Sequence, residues 1–279
     1  MNPITDTTQQ IVHRSGSNLA FALAVLPVEK RRDMGIFYAF CRVVDDLADA
    51  PYVSTDDRRS GLNRWRQLIR REIAEPLPGV ETEFVEMCSR RQLPADDVEA
   101  IVTGVEMDLD PKEMVAHEDL RKYCYHVASA VGLVSIEIFG YEDPASKVYA
   151  EHLGYALQWT NILRDVGEDA REGRVFIPTE VLAKFGLTPD DLLSESPDWD
   201  AFRKLMEDQT VVARSFYEAA TRVLPEVDRK SMRSAELMRR IYGAILDRME
   251  ADGYHVFEKR YRLSKARMMV EFMRAKFIG

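Results

Sequence analysis

Apolar residues along this chain recur at three- and four-residue intervals. The clearest run lies early, where Met34, Phe37, Tyr38, Cys41, Val44 and Ala48 follow Pro27 at helical spacing, with Asp45 on the same face. The pattern predicts a helix from Pro27 to about Ala50, stopped by Pro51. Further helices are predicted at about 56–74, 81–91, 94–108, 117–139, 144–171, 178–186, 198–223, 225–251 and 264–276. Pro94, Pro144, Pro178 and Pro225 stand at predicted helix starts, and Gly140 and Gly186 at predicted ends. No stretch sustains the period-two alternation of a strand, so the fold class is predicted as all-α. No linker, repeat or low-complexity run divides the sequence, and residues 1–279 are predicted to form a single domain.

Composition narrows the function. With 46% hydrophobic and 30% charged residues the chain can bury a sizeable core beneath a polar surface. A net charge of −9 argues against a nucleic-acid partner, because phosphate contacts demand a basic face. Any anionic substrate must therefore be met by local cations. Arg58, Arg59, Arg64, Arg66, Arg70 and Arg71 do cluster, but they alternate with Trp65, Leu68 and Ile69 and are expected to form a solvated helix face. Cys41, Cys88 and Cys124 form no C-x-x-C pair and are expected to be structural thiols in a reduced compartment. The first fifteen residues lack a signal-peptide pattern, and the apolar stretch Leu19–Val28 is too short to span a bilayer. A cytoplasmic location is expected. Lys259, Arg260, Arg262, Lys265 and Arg267 could touch anionic headgroups at the inner face of a membrane, or simply form a solvated helix end.

Two polar constellations interrupt the apolar pattern. In L-Q-W-T-N-I-L-R-D-V-G-E-D-A-R-E-G-R-V-F-I-P (157–178), Asn161, Asp165 and Asp169 fall at i, i+4 and i+8. Each step drifts only about 40° around a helix, so the three share one face. Two carboxylates about 4 Å apart repel by roughly 4 kcal/mol at an effective dielectric near 20, so a buried cluster of this kind needs a cation. Arg164, Arg171 and Arg174 are interleaved with these acids and could hold an anion beside that cation. In C-R-V-V-D-D-L-A-D (41–49), Asp45 and Asp49 share a face, with Arg42 and Tyr38 on the preceding turns. Two such faces opposed across a bundle would bind hard divalent cations through oxygen, the preference of Mg²⁺, with a diphosphate completing the coordination. None of the five histidines sits in a Glu-x-x-His pair, and zinc-hydrolase, nucleophile-elbow, P-loop and dinucleotide fingerprints are absent. Metal-assisted departure of a diphosphate is the chemistry that remains.

The pair Y-A-F-C-R-V-V-D-D-L-A-D (38–49) and Q-W-T-N-I-L-R-D-V-G-E-D (158–169) resembles the squalene/phytoene synthase family of head-to-head prenyl transferases. Y-C-Y-H-V-A-S-A-V-G (123–132) is similar to the family's central helix, and I-Y-G-A-I-L-D (241–247) to its late tyrosine helix. The resemblance runs from Ser15 to about Glu258 and implies a class I isoprenoid-synthase-like helical bundle with a central cavity. It further implies that Asp45, Asp49, Asn161, Asp165 and Asp169 position Mg²⁺ on diphosphates. Arg42, Arg164 and Arg174 would contact the phosphates, Gln158 would lie at the site, and Tyr38, Tyr123 and Tyr242 would line the reacting carbons. Taken alone, each tyrosine also reads as a core aromatic with a tethered hydroxyl.

The stretch V-E-M-D-L-D-P (105–111) followed by the central helix is most similar to bacterial presqualene diphosphate synthases of hopanoid pathways. The expected reaction is condensation of two farnesyl diphosphates to presqualene diphosphate. Phytoene synthase acting on geranylgeranyl diphosphate, squalene or dehydrosqualene synthase, and a non-catalytic assembly factor are the alternatives, and downstream isoprenoid enzymes are conceivable partners. Three positions depart from the family pattern. Ser15–Leu19 lacks an entry-flap aromatic, Phe176 replaces a tyrosine, and Trp159 stands where a smaller aliphatic is usual, with the expectation that it narrows a substrate channel.

Overall fold

The computed structural model describes residues 23–50, 52–73 and 75–277, together with Thr8 and Ile11. All regular structure among them is helical. Twelve α-helices are numbered here in chain order: α1 Val28–Ala48, α2 Thr55–Ile69, α3 Val80–Arg91, α4 Ala95–Met107, α5 His117–Cys124, α6 Ala130–Phe139, α7 Ala145–Arg171, α8 Thr179–Lys184, α9 Pro189–Leu193, α10 Trp199–Val223, α11 Arg233–Ala251 and α12 Lys265–Phe277. The expected entry flap at Ser15–Leu19 lies outside the described residues.

The helices form two packed groups with a shared centre. α1 packs on α2, α3 and α4, while α7 lies along α10 and also meets α11. Helix α6 and the π-helical turn Tyr125–Ser129 before it lie between the groups and touch α4 on one side and α7 on the other. In the first group Phe40 stacks on Phe84 at 4.1 Å and meets the Trp65 edge at 5.1 Å. These rings are buried and fix the pitch of α1, whose opposite face carries the acids. Asp33, also buried, is held by Arg90 and Arg91 of α3. An unpaired charge there would carry a large desolvation penalty.

Proline placement fixed several boundaries. Pro27, Pro94, Pro144 and Pro178 each directly precede a helix, and Gly140 ends α6 at φ 74°. Three predicted helices change. The helix expected over 117–139 runs the whole span but loosens into a π turn at Tyr125–Ser129, where the chain squeezes between Gly104 and Gly154. Pro225 opens one 3₁₀ turn, and α11 starts only at Arg233. The cause is Asp228, whose buried carboxylate turns away to accept the Glu142 and Asp143 amides and the Ser146 hydroxyl. The predicted extension of α2 to residue 74 stops at Ile69, and Arg71 follows with φ 60°. The short helix α9 was not predicted, although Thr188 and Asp191 form its capping box.

The row Arg58–Arg71 is less solvated than expected. Arg64 pairs with buried Glu81, Arg66 with Glu106, and Arg58 donates to the Ala48 carbonyl at the end of α1. These arginines tie α2 to its neighbours. The three cysteines are free, and burial pushes the Cys41 and Cys88 thiols up to about 12 and Cys124 higher still. They remain protonated and inert. Among the described residues, no helix is long and apolar enough to cross a membrane.

Candidate active site

On α1 the stripe Tyr38, Arg42, Asp45, Asp49 runs opposite the aromatic core. Arg42 divides its guanidinium between Asp45 at 3.0 Å and Asp46 at 2.5 Å. Burial, reinforced by Asp49, pushes the Asp45 carboxyl up to about 6 despite the neighbouring Arg42. Asp45 lies too deep and too close to Asp49 to ionise as readily as a free carboxyl.

The second wall is α7. Arg164 lies against Asp165 at 2.8 Å and 2.5 Å, and both side chains are largely buried, 11% and 16% exposed. Arg164 also meets the Tyr242 hydroxyl from α11. One turn on, burial and the Asp165 charge push Asp169 up to about 7. Asn161 donates its amide nitrogen to Gln158 Oε1 at 3.2 Å, and its carbonyl oxygen is left buried with no partner. A buried acceptor in that state costs about 1–3 kcal/mol unless a ligand satisfies it.

A second cation reaches this wall from an unexpected place. Arg260 bonds Asp165 at 3.1 Å and Glu168 at 2.9 Å. Gly167 makes this approach possible, because a Cβ there would stand 2.5 Å from the Val256 carbonyl oxygen. Arg260 therefore faces the acidic wall and not a membrane, and Lys259 is held by Asp252. Gly167, placed among the acids of the motif, was the sequence signal for a close-packed segment.

Asp108, just past the end of α4, lies within electrostatic reach of Asp49 on one wall and of Arg174, which in turn reaches Asp169 on the other. Tyr123 donates its hydroxyl to Asp108 at 3.2 Å, and the Asp108 carboxyl, raised mainly by burial, senses both Asp49 and Arg174. Arg174 in turn lowers the proton affinity of Asp169. Gly173, at φ 75°, turns the chain so that the Arg174 amide returns to the Asp169 carbonyl at 2.8 Å. Burial and Asp108 hold the Tyr123 phenol far above its ordinary range, so it stays protonated and acts as a donor. Its ring stacks on Phe176 at 5.1 Å, and the Arg174 guanidinium lies 5.8 Å from the Phe176 centroid. A cavity of about 720 Å³ opens here, lined by Asp108, Tyr123, His126, Arg174, Phe176 and Met107 among others. Asp108 was missed as a site residue, although D-L-D-P at the end of a helix marked it.

Among the described residues, no three His, Cys, Asp or Glu side chains converge as a ready-made metal cage. The walls instead offer oxygen ligands in ones and twos, with Arg42, Arg164 and Arg260 on the carboxylates. Mg²⁺ is commonly held by one or two carboxylates with substrate phosphates supplying further ligands, and the all-oxygen donors and the orphaned Asn161 carbonyl fit that ion.

A family model described as squalene/phytoene synthase matches residues 12–267. The chain belongs to the squalene/phytoene synthase family. It is 34% identical over 252 residues to presqualene diphosphate synthase of Rhodopseudomonas palustris, covering 90% of each chain. It is 33% identical over 267 residues to 15-cis-phytoene synthase of Synechococcus elongatus, covering 90% of this chain and 85% of the relative. Among solved structures, a dehydrosqualene synthase superposes with a TM-score of 0.83 at 26% identity, covering 96% of this chain and 94% of the other. A squalene synthase from Alicyclobacillus acidocaldarius gives 0.80 at 25%, covering 88% and 93%. The protein is thus a member of a prenyl transferase family with an all-helical isoprenoid-synthase fold.

In this member of the family, Trp159 does not do what its bulk suggested. It lies on the side of α7 away from Asn161 and Asp165, only 2% exposed, donating to Gln209 of α10 at 3.3 Å and packing on Phe216 and His117. It fills the α7–α10 interface and lines none of the cavity beside Arg174.

Proposed function

We propose that this enzyme condenses two farnesyl diphosphates into presqualene diphosphate and diphosphate, with Mg²⁺ as its cofactor. The observation that carries the reaction class is the pair of acidic walls within electrostatic reach of Asp108 and Arg174, with the unpartnered Asn161 carbonyl on one of them. Asp45, Asp49, Asn161, Asp165 and Asp169 would hold Mg²⁺, which supplies Lewis-acid stabilisation to the negative charge gathering on a departing diphosphate. Arg42, Arg164, Arg174 and Arg260 exchange their present carboxylates for phosphate oxygens when substrate arrives. Gln158 orients Asn161 through their shared hydrogen bond.

In the condensation, the C1–O bond of the donor breaks, its allylic cation joins the acceptor's double bond, and loss of a C1 proton closes the cyclopropane. The faces of Tyr38, Tyr123 and Tyr242 would shield this cation from water. Tyr123 is protonated and hydrogen-bonded to Asp108, which disfavours it as the final base and leaves that role to the departing diphosphate. Stopping at presqualene diphosphate requires that its remaining diphosphate ionise slowly. Phe176, stacked between Tyr123 and Arg174, brings no hydroxyl to assist that second departure.

The division of relatives between presqualene diphosphate and phytoene synthases gives the second reading, condensation of two geranylgeranyl diphosphates to phytoene. Incubation of purified protein with Mg²⁺ and each diphosphate, with and without NADPH, followed by mass spectrometry, separates them. The expected result is presqualene diphosphate from farnesyl diphosphate with little change on adding NADPH. Squalene formed whenever NADPH is present, phytoene in preference, or no product at all would overturn the assignment.

A further inference from the structure

Helix α12 is built inside out for a helix on the surface of a soluble protein. Its outer face shows Met269, Val270 and Met273, 51%, 44% and 43% exposed, at i, i+1 and i+4. Its one acid, Glu271, points inward and is only 3% exposed, gripped by Arg267 and Arg274 of the same helix. Those two arginines flank the apolar stripe and are more than half exposed, and Arg262 and Lys265 are exposed just before it. An apolar stripe bordered by long cationic side chains is the pattern of a helix lying in a lipid interface, where the stems cover apolar surface and the charges reach the headgroups.

The charge distribution selects the occupant. From residue 262 to the C-terminus, beyond the Lys259 and Arg260 already held by carboxylates, the sequence has five Lys and Arg against one acid, a net of +4, which leaves −13 for the rest of a chain whose total is −9. An anionic bilayer would attract this end and repel the remainder, orienting the molecule on contact. A second copy docked on the same face would set one cation row against another, because a twofold interface is self-complementary. Thirteen residues give a helix about 20 Å long, short of the roughly 30 Å hydrocarbon core, so α12 would lie along the surface and not cross it.

We infer that α12 docks this protein on anionic membrane surfaces, with Met269, Val270 and Met273 inserted and Arg262, Lys265, Arg267 and Arg274 at headgroup level. None of the three inserted residues belongs to the metal walls, so the inference stands apart from the product assignment.

The test is flotation of the full-length protein with vesicles of phosphatidylcholine alone, and of phosphatidylcholine with an equal part of phosphatidylglycerol. The wild type should float with the anionic vesicles, release as salt rises, and partition at least about tenfold less to neutral ones. Met269→Asp with Met273→Asp should reduce anionic partitioning by roughly tenfold or more while helical circular dichroism and turnover of soluble substrate stay at wild-type levels. Lys265→Glu, at an exposed site, should weaken binding by about fivefold. Equal flotation of wild type and the Asp double variant would overturn the proposal. So would failure of the wild type to float, as would sedimentation showing a dimer that the double variant turns into a monomer.

Discussion

Adding one methyl group at Gly154 tests whether α7 is held where the chemistry needs it. A Cβ at this position would stand 2.4 Å from Ser129 Cα, 2.7 Å from its nitrogen and 2.7 Å from its Oγ. Ordinary carbon contacts are about 3.5–4.0 Å, so the helix and the π turn must part by roughly 1 Å. Two of the three obstacles are backbone atoms, which no rotamer change can move aside. Ser129 is also tied to the Glu151 carbonyl at 2.9 Å, a bond that separation would stretch. Overpacking of this kind costs about 1–3 kcal/mol, against which Ala regains about 1 kcal/mol of helix propensity. The larger effect should be on turnover, because Asn161 and Asp165 sit two to three turns further along the displaced helix. A shift of about 1 Å in catalytic groups can cost roughly 100-fold in rate. Gly243→Ala is the control, since a Cβ there meets nothing within 4 Å. Thermal melting and steady-state turnover of both variants decide the matter. If Gly154→Ala keeps wild-type turnover, or melts like Gly243→Ala, the close seating of α7 on the π turn does not position the acids.

Asp165→Asn should retain helical circular dichroism and lose about 100-fold or more in turnover, on the order of 3 kcal/mol in the barrier, as measured by single-substrate kinetics. Trp159→Leu should lower stability by about 2 kcal/mol in denaturant titration and leave Gln209 without its donor, with no gain in use of geranylgeranyl diphosphate. Better turnover of the longer substrate would return Trp159 to the channel. For pH, Asp45 and Asp169 bind protons more tightly folded than unfolded, so their contribution to stability is full below the ordinary carboxylate range and is lost as pH rises through about 6 and about 7. The metal-free melting temperature should therefore fall between about pH 5 and about pH 8, less so in Asp169→Asn, and Mg²⁺ with a non-hydrolysable diphosphate analogue should restore it. A flat or rising profile in the metal-free wild type would contradict this.

Periodicity and proline placement were enough for most helices, because an amphipathic pattern and a missing N–H act locally. The π turn at Tyr125–Ser129 was hidden because its cause is tertiary, two glycines on α4 and α7 that admit the backbone of a third segment. The late start of α11 has the same character, since Asp228 bonds amides more than eighty residues earlier in the chain. At the site, residues on one helix face were legible, and Asp45 with Asp49, and Asn161 with Asp165 and Asp169, emerge on single faces as spacing requires. Asp108 and Arg260 were not assigned, because each reaches the walls from a loop whose path spacing cannot give. Trp159 was misjudged for a related reason. Its size was visible, but the helix face it occupies turns it toward α10.

The most direct measurement counts diphosphate released for each farnesyl diphosphate consumed, with Mg²⁺ and NADPH present and again in EDTA. Condensation that ends at presqualene diphosphate breaks one C–O bond for every two substrates, so one diphosphate should appear per two farnesyl diphosphates consumed, and none in EDTA. One diphosphate for each substrate would show that the second ionisation proceeds, and undiminished release in EDTA would contradict the metal chemistry assigned to the two acidic walls.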